Sequence, residues 1–308
     1  MRHALLKTLF SLTFCATLTL AQTAPNASEP VERPLPDIPT LMHEVEEHQH
    51  ASENIQKDYI FHEAVIQQAA KGKTESREFD VFWLHGVEVH KMTRKNGRDL
   101  TDDEKKKEDE RIDKEVAKAK DRKSHADAKG QETDSQGHDI VTVSRFLALG
   151  SFTNPRRTQI NGRDTIAVDY TGDPKAKTRN RLEDIIRTIA GTIWVDEQDR
   201  VISRLEGHFA NNYKVGGGLM VTVKKDTSFS MQQKKVNSEV WLPAQAEGQG
   251  AARVLLFVNF DGSVHFTFSD YRKFKATSTI LPGVSTVSDA APDAAASPSA
   301  ETTSPNPQ

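Results

Sequence analysis

Apolar positions along this chain change period several times, and the changes divide it into elements. In residues 38–54, IPTLMHEVEEHQHASEN, Leu41 and Val45 lie four apart, acids occupy the other side, and Pro39 stands near the start. That spacing predicts a helix. From Tyr59 the period falls to two. YIFHEAVIQ and REFDVFWLHGVEVHKMTRK are rich in β-branched and aromatic residues, with Glu88 and His90 alternating with Val87 and Val89. They read as strands with one wet face. Asn96-Gly97 marks a turn and Gly86 a bulge or bend.

Residues 101–123, TDDEKKKEDERIDKEVAKAKDRK, are the most polar stretch. Thr101 and Glu104 form a capping-box pair, and alternating charges support a helix. Its apolar positions are few (Ile112, Val116, Ala119), so it is expected to lie on the surface or project from it. Residues 124–138 read as a loop, and 140–149 fit either a strand or a short helix. RRTQINGRDTIAVDYTGDP predicts a hairpin turning at Asn161-Gly162, with a second turn around Gly172-Asp173-Pro174. Residues 176–190 form an amphipathic pattern with Leu182, Ile185, Ile186 and Ile189 on one side. A β run follows, with a turn over Asp196 to Asp199 and a strand on which Arg204, Glu206 and His208 face away from Leu205 and Phe209. Gly216-Gly217-Gly218 lacks the spacing and the Gly-Lys-Ser/Thr ending of a phosphate loop, and reads as a crossover or bend. Asp261-Gly262 reads as a further tight turn. The fold class is therefore mainly β with a few helices, built on a strongly curved antiparallel sheet.

The chain ends bear on where it works. Arg2 and Lys7 precede an apolar stretch over residues 9–20, and small residues close at Ala21. This is the pattern of a cleavable export signal over residues 1–21, and it is short for a bilayer core of about 30 Å. The expected location is the periplasm or the medium. Cys15, the only cysteine, lies inside that signal, so the processed chain would have no disulfide or thiol chemistry. Residues 22–36 read as a flexible lead-in, 37–282 as one domain carrying the charged insertion 101–123, and 283–308 as a disordered Pro/Ala/Ser/Thr tail. The formal net charge of -3 favours no polyanion, and no nucleic-acid motif is present.

No catalytic or metal constellation stands out. HExxH and GxSxG are absent from the sequence, and His43 and His48 are five apart rather than the three or four that stacks ligands on one helical face. Asp164 and Asp169 would point to opposite sides of a regular strand. The expectation is a protein that is not an enzyme, holding no metal and no cofactor. A curved sheet covered by few helices leaves an apolar concavity suited to acyl chains. Candidates to line it are Phe79, Val81, Trp83, Trp194, Leu205, Phe229, Met231, Trp241, Leu255, Phe257, Phe266 and Phe268, each of which would otherwise serve as ordinary core.

The hairpin RRTQINGRDTIAVDY, then GTIWVDEQDRVISRLEG, VNSEVWLP and FSDYRKF resemble the second half of exported proteins related to outer-membrane lipoprotein-sorting (LolA-like, LppX-like) proteins. Residues 59–95 are compatible with the first half. The resemblance implies a half-open antiparallel β-barrel with helices on its concave side as a lid. It implies carriage or sensing of a lipid or a lipidated protein, with no cofactor. An arginine that steadies the lid is part of that pattern, and Arg77, Arg157 and Arg204 are the possible equivalents. The charged helix and the tail depart from a minimal carrier. The alternative is a cell-envelope interaction module in which those two segments contact a protein partner.

Overall fold

The computed structural model describes residues 33–215, 221–254 and 258–274. The expected export signal, most of the lead-in, the tail, the triple glycine, Leu255 and Phe257 lie outside the described residues. In chain order the first elements are α1 (Ile38–Gln56), β1 (Tyr59–Ala69), β2 (Thr74–Leu84), β3 (Val87–Lys95), β4 (Arg98–Asp99), α2 (Asp102–Asp127) and α3 (Val143–Ala148). Then follow β5 (Gly150–Ile160), β6 (Arg163–Gly172), α4 (Arg181–Ile186), β7 (Ile189–Asp196), β8 (Ile202–Phe209), β9 (Tyr213–Val215) and β10 (Val221–Val223). The chain closes with β11 (Ser228–Val236), β12 (Val240–Val254) and β13 (Val258–Lys273).

The strands make one antiparallel sheet of 13, ordered β4-β3-β2-β1-β13-β12-β11-β8-β7-β6-β5, with β10 joined to β12 and β9 to β10. The sheet does not close into a barrel; β4 and β5 end its main path. The first long strand lies beside the last, from Tyr59↔Lys273 to Ala69↔Gly262, so the middle of the sheet is knit from both ends of the fold. Local chemistry sets the hairpins. His85-Gly86, Asn96-Gly97 and Asn161-Gly162 all have φ between 50° and 79°. This is the left-handed pair whose twist suits a two-residue hairpin. Gly86 is thus half of a turn rather than a bulge.

Two further readings need correction. Asp261-Gly262 is not a turn but lies inside β13, paired with Ala251 and Gly250. A Cβ on Gly262 would stand 2.0 Å from the Gln68 carbonyl oxygen, so glycine is needed for close approach to β1. The helix expected over 176–190 is confined to Arg181–Ile186, because Ile189 already pairs with Phe209 in the sheet. The ambiguous segment 140–149 contains the short helix α3.

The helices divide between the two faces of the sheet. Leu41 and Val45 of α1 pack on Ile166, Val168 and Val195, and Ile55 near its far end packs with Tyr59, Phe61, Val81 and Leu242. A helix of 19 residues is about 28 Å long. Six strand spacings separate β6 from β1, about 29 Å, so α1 runs across the strands. Ile112, Val116 and Ala119 of α2 pack on Val87 and Val89, with Phe82 and Leu84 beside them. Val81 and Phe82 are neighbours on one strand and point oppositely, so α1 and α2 cover opposite faces. The charged helix therefore lies on the sheet and does not project. Its capping box is formed: Glu104 N–H donates to Thr101 Oγ1 at 3.3 Å, and Thr101 N–H donates to the Glu104 carboxylate at 2.9 Å. Among the described residues, no helix is long and apolar enough to cross a membrane.

Candidate functional site

The pairing register assigns each candidate to a face. One row runs Val168–Ile193–Leu205–Met231–Ala246–Phe266–Val65–Arg77, each residue opposite the next on the neighbouring strand. Val168 packs against α1, so the whole row belongs to the α1 face. It is apolar across seven strands and ends on Arg77. A second row runs Tyr170–Gly191–Gly207–Phe229–Gly248–Val264. The Phe229 ring lies over Gly207, where a Cβ would come within 2.5 Å of it. Toward α1 lie Phe268, Glu63, Phe79 and Met92, again in register, and then Phe61 beside Val81. Trp83, two residues beyond Val81, carries the Lys57 ammonium 5.7 Å from its ring, at the end of α1.

Phe79, Trp83, Leu205, Phe229, Met231, Phe266 and Phe268 are half-buried on this face, while Val81 is fully buried beneath Ile55 and its neighbours. A sealed core would bury them all. The band is instead an apolar floor that α1 covers only toward one end of the strands.

The other candidates lie elsewhere. Trp194 pairs with Ala167 and Arg204, one residue out of phase with Ile193, and so faces away from α1. The Arg204 guanidinium stacks 5.3 Å above the Trp194 ring and pairs with Glu206. Trp241 is out of phase with Leu242; its indole Nε1–H donates to Asp199 at 2.9 Å, and Arg163 lies 5.4 Å over its ring. Both tryptophans thus serve ionic clusters on the far face. Arg157 pairs with Glu197 at 2.8 Å and donates to the carbonyls of Arg33 and Pro34, so it grips the chain entering α1. Arg77, Arg157 and Arg204 do not converge.

Among the described residues, the apolar face contains a buried ionic cluster that sequence patterning did not single out. Glu63, 5% exposed, meets His90 Nδ1 at 2.5 Å, and His90 Nε2 meets Glu88 at 3.0 Å. A carboxylate among phenylalanines needs such a partner. Burial alone would lower the His90 pKa, but the hydrogen bonds to Glu63 and Glu88 outweigh it and push it up to about 9. The alternation along β3 puts Glu88 and His90 on its wet side, and nothing local shows that Glu63 reaches His90 from β1 across the intervening β2. On the same side, α1 is fixed at its ends: Glu44 pairs with Arg200 at 2.8 Å, and Gln56 Nε2 donates to the Trp241 carbonyl at 3.1 Å.

Among the described residues, cavities open at the sheet in two places of note. One of about 740 Å³ lies on the face away from α1, walled by Arg156, Asp169, Thr192, Glu206 and Glu247, with Gly191 and Gly207 in its floor. Its wall is mostly polar and includes Phe229 and Tyr170 of the second row. The other, about 450 Å³, lies between α4 and the β9 strand. No group of three potential metal ligands converges among the described residues.

No protein-family model matches the chain, and no curated protein matches it. Among solved structures, the chain is similar to a putative outer membrane lipoprotein-sorting protein domain from Vibrio parahaemolyticus (12% identity over 75% of this chain and 91% of that one, TM-score 0.34). It is similar to a LolA superfamily protein from Nitrosomonas europaea (10% identity, 76% and 94% of the two chains, TM-score 0.32). It is likewise similar to a DUF1329 family protein from Desulfovibrio piger (10% identity, 76% and 92%, TM-score 0.34). All three likenesses are distant.

Proposed function

We propose that this protein binds an acyl chain, of a lipid or a lipidated protein, on the apolar floor beside α1, and acts as a carrier or sensor outside the cytoplasm. The observation that carries the reading is the α1-face row from Val168 to Val65, apolar on seven successive strands and half-buried over much of its length. Contiguous apolar surface of this extent on a protein rimmed by charge marks a binding site. Arg77 at the end of the row and Arg157 at the entry to α1 are the polar contacts for a headgroup or for the helix. The export pattern of residues 1–21 supports the location.

Native mass spectrometry with lipid extraction, on protein purified from its own envelope, tests this. A stoichiometric acyl-chain ligand is expected, displaced by a fluorescent fatty acid. Protein that arrives without ligand and takes up no fatty acid would rule the reading out.

A further inference from the structure

The smaller cavity has an unusual charge balance. It is lined by Arg181, Arg187 and Lys214 together with Asp184, Thr188, Asn212 and Tyr213. Asp184 is its only acid, and it is already engaged: Arg187 pairs with it at 3.0 Å and the Thr178 hydroxyl donates to it at 2.7 Å. Arg181 and Lys214 are exposed and form no ion pair among the described residues. Two cationic charges therefore face a shared space whose one acid, Asp184, is already taken by Arg187 and Thr178. Arg187 is held rigidly, its Nη1 donating to the carbonyls of Pro174 and Ala176 at 3.1 and 2.9 Å. Its Nε–H is buried with no acceptor among the described residues. A buried guanidinium donor without a partner costs free energy unless a ligand supplies the acceptor.

The position of the cavity matters as much as its charge. Tyr213, in its wall, stacks near Phe209 at 6.1 Å between ring centroids. Phe209 continues the strand alternation of Leu205 and Gly207, so it lies on the α1 face at the end of the apolar floor. Thr188, also in the wall, immediately precedes Ile189, which pairs with Phe209. A cationic cup thus sits where the apolar floor ends.

We propose that the Arg181–Arg187–Lys214 cavity binds the phosphate or carboxylate of an anionic ligand. Resting on the acyl-binding reading, it makes the ligand an anionic amphiphile, with its chain on the floor and its charged head in the cup. Guanidinium and ammonium groups together suit this: the first offers paired, oriented donors to an oxyanion, the second a point charge.

The test uses the purified full chain and three probes: dodecyl phosphate below its micelle concentration, a neutral dodecyl glycoside, and inorganic phosphate. The wild-type protein is expected to bind dodecyl phosphate more tightly than the glycoside, with the preference shrinking as salt is raised. The double substitution Arg181→Gln/Lys214→Gln removes two exposed, unpaired side chains and is expected to leave the fold intact, verified by an unchanged melting temperature. It should weaken dodecyl phosphate binding at least about tenfold, the scale of one lost charge-assisted hydrogen bond, and leave glycoside binding unchanged. Inorganic phosphate that binds as tightly as dodecyl phosphate, and is lost in the variant, would support the anion site and identify a free anion as its occupant. Equal binding of both dodecyl probes by the wild type, or dodecyl phosphate binding untouched in the variant, would overturn the inference while leaving the apolar floor standing. Failure of both dodecyl probes with phosphate still bound would remove the acyl-binding reading and keep the anion site.

Discussion

At the scale of single residues, the His90 cluster is where chemistry and packing meet. Its imidazole sits between Glu63 and Glu88 on an otherwise apolar face, and the pair of carboxylates holds its pKa at about 9, against 6.5 for a free side chain. The direction of linkage follows. The folded protein keeps a proton on His90 that the unfolded chain releases near 6.5, so the stabilisation is complete below that pH and is lost as pH rises through about 9. The ring is 36% exposed, so solvent screening reduces the effect to the order of 1–2 kcal/mol. Urea midpoints measured from pH 6 to 9 should fall for the wild type and stay level for His90→Gln. A wild-type midpoint that does not move over that interval would show that the cluster does not carry a linked proton. Gly207 makes a complementary point about shape: the Phe229 ring occupies the place its side chain would take, which is how a large aromatic enters the floor without thickening it.

At the scale of elements, what could be read from the sequence was whatever local chemistry decides. The Asn-Gly pairs became hairpins, Thr101 and Glu104 became a capping box, and Leu41 with Val45 set the face of α1. What could not be read depended on partners far away in the chain. Trp194 stands in the apolar run Ile193-Trp194-Val195, with nothing local to say which side it takes; pairing with Ala167 and Arg204 decides it. Trp241 follows a stretch where β11 and β12 slip register between Gln232 and Gln233, and one residue of slip exchanges faces. Asp261-Gly262 has a turn's composition but a strand's environment, because β1 presses its backbone against it. The anion cavity joins residues from two separate segments, 181–188 and 212–215, so no short sequence window contains it. For α2, sparse apolar residues leave open whether the helix lies on the surface or projects from it, and three of them dock it on the sheet. Ile112→Ala is expected to destabilise the protein by about 2–5 kcal/mol, as for any buried aliphatic truncation. A loss below about 0.5 kcal/mol, the range of a surface change, would mean that the helix is not seated on β3.

At the scale of the whole molecule, two features act together: an open sheet whose first and last long strands pair in its middle, and a helix laid across it. Because β1 depends on β13 for one of its two neighbours, the strands form one cooperative unit. The α1 helix is attached differently. It contributes Leu41, Met42 and Val45 as its fully buried residues, with polar ties at Glu44, Glu46 and Gln56. Its opening free energy is therefore a fraction of the global one, the usual property of an element that covers a ligand site. If an acyl chain enters beside and beneath this helix, weakening α1 without touching the floor should speed entry. Val45→Ala removes two methyl groups from the contact with Ile166, Val168 and Val195, about 1–3 kcal/mol. Hydrogen exchange should then show earlier opening of residues 38–56 while β6 and β7 keep their protection, and stopped-flow uptake of a fluorescent fatty acid should accelerate several-fold. Uptake at the wild-type rate, with α1 demonstrably loosened, would mean that the chain reaches the floor from its open end, past Phe229 and Val264, and that α1 is a fixed wall of the site and not its gate.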